Sequence, residues 1–334
     1  MTTRTLLRRL CLDVLHRTPS ASEVQAFVDA PVELVVKRLV WSPEAMQMFV
    51  EEELFYFLLL DNFRPKTPSI QDLPKRLAAG KASAHDALAE ILLSTGFSLR
   101  NPGNDTFVTV VLEQCLGLKV QEQKNLPVLA AGKKLYDGRK GRFLGSDGES
   151  QADVVRIVLA QEACTRFLLA RHHERLFAAP LGDSAAVARV QADRMSFFPV
   201  LAEWLAGDAY AQALARKKPK SDHQFIRSLY QDLLGRAPGY DELRNMRNAL
   251  QSMADPAPLR AVMAKVILDS KQAQVPGCEA GKEEEFVRDC FLRYLGRHPG
   301  QVEGPEFVRG LQAGTVQPGH VVRTLVGSVE YQTY

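Results

Sequence analysis

The amino-acid sequence predicts a mainly or entirely α-helical protein. A helical repeat occurs three times, and much of the sequence between the copies places apolar residues at helical spacing. With 46% hydrophobic and 24% charged residues, the 334-residue chain also has an ordinary globular composition. We therefore expect an all-α, multi-helical protein in which tandem three-helix modules flank a larger helical middle region with a long Gly-rich loop.

The repeat consists of three segments that align without gaps and begin at Leu6, Phe225 and Phe286. Each segment has an Arg, a Pro and a Glu at the same spacing after its opening helix. These residues are Arg17, Pro19 and Glu23 in the first copy, Arg236, Pro238 and Glu242 in the second, and Arg297, Pro299 and Glu303 in the third.

Each copy is predicted to form a helix, a tight turn and further helices. Apolar residues at i, i+1, i+4 and i+5 from Phe225 to Leu234 form one broad helix face. Gly235 and Gly296 follow where a helix needs a terminal residue that tolerates positive φ, and the nearby proline prevents helical continuation. The second half of each copy corresponds with gaps and ends at a Ser, which gives about three helices per copy.

The repeated arginines beside the turn allow two interpretations. Arg17, Arg236 and Arg297 each precede a glutamate by six positions. The arginine could pair with Glu23, Glu242 or Glu303, or bond the last helix carbonyls, and so brace the turn. It could instead bind a ligand. We expect the bracing role.

The third copy resembles a phycobilisome linker domain in its opening F-V-R helix, its GR-x-P turn, a glycine in the middle of the module and its closing segment. The residues that carry this resemblance are Phe286, Val287, Arg288, Gly296, Arg297, Pro299, Gly314, Val322, Arg323, Leu325, Ser328 and Tyr331. The second copy is similar at its opening helix and turn. The resemblance implies a small helical module that holds other proteins in register.

The first copy is also similar to the opening of a planctomycete family of large cytochrome-associated proteins. The similarity lies in the run from Arg9 to Val24 and in the W-S-P-E segment that begins at Trp41. Those relatives usually carry a CxxCH haem motif, which does not occur in this sequence. We therefore expect no haem cofactor.

These patterns divide the chain into four regions. We expect a helical module over residues 1–60, a middle domain over 61–214, and linker-like modules over 222–275 and 282–334. Three prolines between Asn62 and Pro74 predict a linker or exposed loop, and the lysines from Lys217 to Lys220 predict a solvated linker.

The middle region contains a Gly-rich basic segment, 125–150, that we expect to be a long irregular loop. Its side chains could bind an anion beneath residues 132–148, which would make the protein an enzyme or a ligand-binding protein. The residues for this alternative are Lys133, Lys134, Arg139 and Arg142. No GxxxxGK or GxGxxG motif occurs, so a surface or partner-docking loop is the main expectation. The nearby segment 107–120 is ambiguous between helix and strand.

Other features exclude several functional classes. A net charge of +3 is too small to attract nucleic acid, and no apolar run approaches the ~20 residues that span a bilayer. The five cysteines are scattered, and His172 and His173 are adjacent, so they would diverge on a helix. We expect no catalytic, cofactor-binding or metal-binding residues, no membrane insertion and a cytoplasmic location.

The function we expect is therefore non-catalytic scaffolding, in which helical modules bind protein partners or assemble with each other. Aromatic and Arg side chains on module surfaces and on the basic loop would be the anchors, because these residue types are enriched in interfaces. The candidate anchors are Tyr240, Arg244, Tyr331, Tyr334, Arg139 and Arg142.

Overall fold

The computed structural model describes residues 3–58, 67–182, 184–214 and 216–334. Over these residues the chain forms twenty α-helices, a few short 3-10 turns and one two-stranded sheet, so the predicted all-α class is confirmed. No helix among them is both long enough and apolar enough to cross a membrane.

The helices and strands are numbered in chain order. The first copy of the repeat contains α1 (Arg4–Val14), α2 (Ala21–Phe27) and α3 (Val32–Val40). The following helices and strands are α4 (Pro43–Leu58), α5 (Pro68–Ala78), α6 (Ala84–Leu92), α7 (Thr95–Arg100), α8 (Gly103–Leu116), α9 (Leu126–Tyr136), β1 (Gly141–Phe143), β2 (Ser146–Gly148), α10 (Gln151–Leu159), α11 (Glu162–Phe177), α12 (Ser184–Ala192), α13 (Phe197–Ala206) and α14 (Asp208–Ala213). The second copy contains α15 (Asp222–Leu234), α16 (Tyr240–Gln251) and α17 (Ala257–Leu268), and the third contains α18 (Glu283–Tyr294), α19 (Glu303–Gln312) and α20 (Pro318–Val326).

The chain forms two compact units rather than the four regions expected from the sequence. The repeat unit contains the chain up to Leu39 together with Ala211–Tyr334, and the middle unit contains Val40–Tyr210. All three copies of the repeat therefore belong to one unit, although 219 residues separate the starts of the first and second copies.

The core of the repeat unit consists of the apolar faces predicted for the three opening helices. The most deeply buried residues on these faces are Leu7, Leu10 and Cys11 of α1, Phe225, Ile226 and Leu229 of α15, and Val287, Phe291 and Tyr294 of α18. Burial of such side chains supplies most of the favourable free energy of packing, at about 25 cal/mol per Å² of apolar surface.

The turn after each opening helix has the same backbone conformation in all three copies. Gly235 and Gly296 have φ angles of 64° and 70°, which confirms the expected left-handed residue. In the first copy His16 occupies this position with a φ of 54°. A non-glycine residue is strained in this region because its Cβ approaches the following carbonyl oxygen.

The Gly-rich segment 125–150 is ordered secondary structure, and the expectation of a long irregular loop was wrong. Residues 126–136 form α9, and β1 pairs with β2 in an antiparallel hairpin. Gly132 lies inside α9. The position requires a glycine because a Cβ there would be 2.6 Å from Cγ1 of Val108. Leu144 and Gly145, at the hairpin turn, both have positive φ, as a tight two-residue turn requires.

Two predicted linkers also differ from the structure. The helix α5 begins at Pro68, so the predicted linker over residues 62–74 is helical from that residue onward. Residues 62–66 of the predicted linker lie outside the described residues. Lys220 is only 1% exposed, and its backbone N–H donates to the carbonyl of Gln332. The lysine segment is therefore paired with the end of the chain and is not a solvated linker. The ambiguous segment near Phe107 is helical, within α8.

Candidate partner-binding groove

The Arg–Glu pairs of the repeat lie directly across the turn in each copy. Arg17 donates to both carboxylate oxygens of Glu23, at 2.7 and 2.8 Å, and Arg236 contacts Glu242 in the same way at 2.8 Å. Each of these arginines also donates to the carbonyl of the next residue. Bidentate Arg–carboxylate pairs fix both distance and orientation, so they hold the turn in one geometry.

The same glutamates cap the helix that follows the turn. The backbone N–H of Ser20 donates to Glu23 at 2.7 Å, and that of Gly239 donates to Glu242 at 2.6 Å. The Arg236 hydrogen bonds, with the backbone N–H of Gly239, lower the pKa of Glu242 to about 2. Burial raises the pKa of Glu23, but hydrogen bonds from Arg17 and Ser20 outweigh it, and the net shift is downward.

The third copy extends this brace to the end of the chain. Arg297 pairs with Glu303 across the turn and also donates to both carboxylate oxygens of Glu330, each at 2.8 Å. The backbone N–H of Gly300 donates to Glu303 at 2.7 Å. The turn of the third copy is thereby tied to the short 3-10 turn at Glu330–Gln332.

Buried and partly buried polar contacts join the first copy to the third. Arg8 is 6% exposed, and its guanidinium donates to the carbonyls of Arg293 and Tyr294. Thr5 Oγ1 donates to the carbonyl of Gly296 at 2.8 Å. A helix leaves its last carbonyls without intrahelical partners, so α1 supplies donors that satisfy the end of α18.

A second set of buried contacts joins the first copy to the second and to the C-terminal segment. Asp232 accepts hydrogen bonds from Thr18 Oγ1 at 2.8 Å and from the Tyr331 hydroxyl at 2.9 Å. Asp13 accepts from Lys218 at 2.7 Å and from the Tyr334 hydroxyl at 2.8 Å. Removal of one partner from such a buried network leaves the other groups without their hydrogen bonds, which is costly.

Lys220 lies within this buried region. Its Nζ has no hydrogen-bond partner and lies 3.8 Å from the centre of the Tyr331 ring. Burial lowers the pKa of Lys220 well below its usual value, and the nearby Arg8 and Arg260 guanidinium groups add to this effect, although Asp232 opposes it.

The predicted anchors therefore fall into two groups. Tyr331 is 0% exposed and Tyr334 donates to Asp13, so both tyrosines pack within the repeat unit and neither is a free surface anchor as expected. Tyr240 and Arg244 are half-buried on α16, with the Arg244 guanidinium 5.5 Å from the Tyr240 ring centre. Tyr240 and Arg244 therefore remain accessible, and Tyr334 is half-buried although its hydroxyl is bonded within the unit.

The four basic side chains of the middle unit that would form the alternative anion site have different surroundings. Arg139 and Arg142 are exposed on and beside the hairpin, where Arg142 lies opposite Asp147. Lys133 instead pairs with Asp105 of α8, and the side chain of Lys134 packs beside Gly141.

The histidines and cysteines considered in the sequence also lie in packed surroundings. His172 is 3% exposed, stacks on Phe49 and has its Nε2 3.5 Å from Glu53. His173 Nδ1 lies 2.9 Å from the carbonyl of Ala179, and Cys164 is buried. Within the described ranges, no three His, Cys, Asp or Glu side chains are grouped so that they could hold a metal ion.

An accessible concavity of the repeat unit lies between α2 and α18, and we call it the α2–α18 groove. Its volume is about 660 Å³. Its walls combine apolar side chains with charged ones. The lining residues are Arg4, Arg8, Pro19, Ala21, Val24, Gln25, Val28, Asp29, Gln231, Asp289, Leu292 and Arg293.

The groove lies beside α2, which packs less deeply than α16 of the second copy, whereas α19 of the third copy buries only Gly304. None of the residues of α2 is buried. At the equivalent place in the second copy, α16 buries Leu243, Arg247 and Leu250. Val24 of α2 and Val28, which directly follows α2, are half-buried and line the groove.

The groove residues were not predicted from the sequence. The available signal was a short apolar face in and directly after α2, formed by Val24, Phe27 and Val28. Comparison with models of protein families, with curated proteins and with solved structures found no match for this chain.

Proposed function

We propose that the protein is a non-catalytic scaffolding protein whose repeat unit binds a protein partner in the α2–α18 groove. The observation that carries this proposal is the open groove itself, which is walled by an unburied helix and by α18. Arginine side chains, three of which line the groove, are enriched in protein interfaces, and the half-buried apolar side chains beside them offer a partner surface to bury.

The rigidity of the surrounding turns supports the proposal. The Arg17–Glu23 pair holds the start of α2, and Arg8 holds α1 against the end of α18. Both walls of the groove are thus fixed before a partner binds, which reduces the entropy that binding must overcome. The resemblance of the third copy to phycobilisome linker domains favours the same class of function.

Photo-crosslinking in cells of the source organism tests this proposal. A photoreactive phenylalanine would replace Gln25, which is exposed and lines the groove, or Arg139, which is exposed beside the hairpin of the middle unit. We expect a discrete protein adduct from position 25 and none from position 139.

The possible outcomes separate the parts of the proposal. An adduct from position 139 alone would move the binding surface to the hairpin and overturn the role of the groove. The absence of any adduct from both positions, with the chain migrating as a monomer in the same lysate, would overturn scaffolding altogether.

A further inference from the structure

The middle unit brings together two cysteines that are far apart in the sequence. Cys115 lies in the last turn of α8, and Cys164 lies in the first turn of α11, 49 positions later. The two side chains are hydrogen-bonded to each other, and both are free thiols. The pair therefore depends on the packing of two helices and not on a local cysteine motif.

The packing of α8 against α11 holds the two thiols in contact. The helix α8 ends at Gly117, where a Cβ would lie only 3.2 Å from the ring of Phe167 in α11. Gly117 follows Cys115 by two positions, and Phe167 follows Cys164 by three. The end of α8 and the start of α11 thus approach closely on the side that carries the thiols. Cysteines already in contact are the pairs most easily brought to the Cβ separation of about 3.8 Å that a disulfide needs.

The surroundings slow the oxidation of this pair while the helices are closed. Both side chains are 2% exposed. The hydrogen bond to Cys164, together with burial, raises the pKa of Cys115 well above its usual value. Arg171 and Glu53 also lie near Cys115, but Arg171 donates to Glu53 at 2.8 Å, so the two supply no net positive charge that would favour a thiolate. Because the thiolate is the reactive form, oxidation requires a local opening of the helices.

We infer that Cys115 and Cys164 are a modification site at which hydrogen peroxide forms a reversible disulfide between α8 and α11. Both cysteines lie in terminal turns, and helix ends open more readily than helix centres. This inference concerns the middle unit and does not depend on partner binding in the α2–α18 groove.

The chemistry balances with hydrogen peroxide as the oxidant. One thiol loses its proton during the opening, and its sulfur attacks the peroxide. The O–O bond breaks, which leaves a sulfenic acid and one molecule of water. The second thiol then attacks the sulfenic sulfur, forms the S–S bond and releases another water. In total the two thiols lose two electrons and two protons, and one hydrogen peroxide becomes two molecules of water.

Peroxide treatment of the folded full chain tests the inference, with alkylation of the remaining thiols in denaturant and peptide mapping by mass spectrometry. We expect one linked pair of peptides, which carry Cys115 and Cys164, and its loss on reduction. The link closes a 49-residue separation in the unfolded chain, so the melting temperature should rise by at least about 5 °C. A link between other cysteines, or no link at all, would overturn the inference.

Matched alanine substitutions separate this pair from the other thiols. Cys164→Ala should abolish the rise in melting temperature on peroxide treatment. Cys290→Ala, at a cysteine of α18 that is 3% exposed, should retain both the link and the rise. An equal rise in the peroxide-treated Cys164→Ala chain would show that the disulfide does not stabilise the unit. Melting under reducing conditions checks that each variant folds, and the linked peptides of the unmodified chain decide the inference if Cys164→Ala does not.

Discussion

The first and second copies of the repeat have the same turn but differ in the helix that follows it. In both copies an arginine and a glutamate brace the turn with nearly equal hydrogen-bond distances. After the turn, α16 buries three side chains, whereas α2 buries none. The brace therefore sets the direction of the next helix, and the side chains of that helix decide whether the space beside it is filled.

This difference between the copies corresponds to a difference in their proposed roles. A repeat that packs fully, as the second copy does, contributes stability. A repeat that keeps its turn but leaves the next helix unburied presents an accessible surface, as the first copy does. Substitutions at equivalent positions of two copies can thus be compared by their effects on the free energy of unfolding, because the two positions have different surroundings.

The largest effect is expected at Asp232 and Arg293, which occupy equivalent positions in the second and third copies. Asp232→Ala removes the acceptor for the buried Thr18 and Tyr331 hydroxyls and should lower the free energy of unfolding by about 3 kcal/mol or more. Arg293→Ala removes one exposed side chain, whose guanidinium donates to the backbone carbonyl of Asp232, and should cost about 1 kcal/mol. Urea unfolding monitored by circular dichroism measures both. Equal losses would show that the copies are not distinct environments.

The next effect concerns Lys220, whose buried amine has a lowered pKa in the folded state. The unfolded chain therefore binds more protons, and the free energy of unfolding should rise with pH toward the ordinary lysine pKa of about 10.4. Lys220→Met should flatten this rise and stabilise the fold by about 1 kcal/mol at pH 7. Lys217→Met, at an exposed neighbour, is the control and should leave the slope unchanged. Thermal melts between pH 7 and pH 10 measure the slope, and an unaltered slope for Lys220→Met would show that the buried amine does not cause the pH dependence.

A smaller effect is expected from the turn braces. Glu23→Gln should cost about 1.5 kcal/mol at pH 7, because the Glu23 side chain is 19% exposed. Glu242→Gln should cost less than about 1 kcal/mol, because solvent screens its 39% exposed side chain. Both carboxylates have lowered pKa values in the folded state. Their contribution is therefore complete above the unfolded glutamate pKa of about 4.3 and is lost as the pH falls through the folded value.

Denaturant titrations at pH 7 and pH 3 measure these two variants against the unmodified chain. The difference between variant and unmodified chain should shrink at the lower pH, and less for Glu242→Gln, because the folded-state pKa of Glu242 is about 2 and this carboxylate stays ionised at pH 3. A difference that grows on acidification would show that the glutamates do not brace the turn as carboxylates.

The smallest effect is expected at the left-handed residue of the turn. His16→Gly should raise the melting temperature slightly, by the equivalent of about 0.5 kcal/mol, because glycine adopts a φ near 54° without strain. Gly235→Ala should cost about 1 kcal/mol, because its Cβ would lie 2.8 Å from Gln274 Oε1 in a backbone with a φ of 64°. Calorimetry measures both shifts. A destabilised His16→Gly variant would show that the contact between His16 and His223 outweighs the backbone strain.

Local sequence chemistry predicted the helices and the turns well. The spacing of apolar residues in α15 and the glycine after it both reflect interactions within a few residues, and the structure agrees at each point. The prediction was wrong for the segment 125–150, where Gly132 resembles a loop residue in sequence. A glycine is instead required at this helical position because the side chain of Val108, which is distant in sequence, leaves no room for a Cβ.

The candidate site could not be predicted in the same way. Tyr331 has the pattern of a surface aromatic residue, but its hydroxyl bonds Asp232 in another copy, which only the packing of the copies reveals. The groove likewise forms because Val24 stays accessible, and this accessibility depends on how the helices of the repeat unit pack rather than on the local sequence. Local patterns therefore predict the modules, and tertiary packing decides which of their faces remain accessible.

Matched substitutions at two accessible apolar residues test most directly whether the α2–α18 groove binds a protein partner. Val24→Arg places a large charged side chain in the groove, and Val262→Arg makes the same change on the exposed face of α17, where Val262 is 54% exposed. The measurement is the affinity of each purified variant for the protein that crosslinks to position 25, with melting temperatures as a check on folding. We expect a loss of at least about tenfold for Val24→Arg and no loss for Val262→Arg. Equal affinity of the two folded variants would contradict partner binding in the groove.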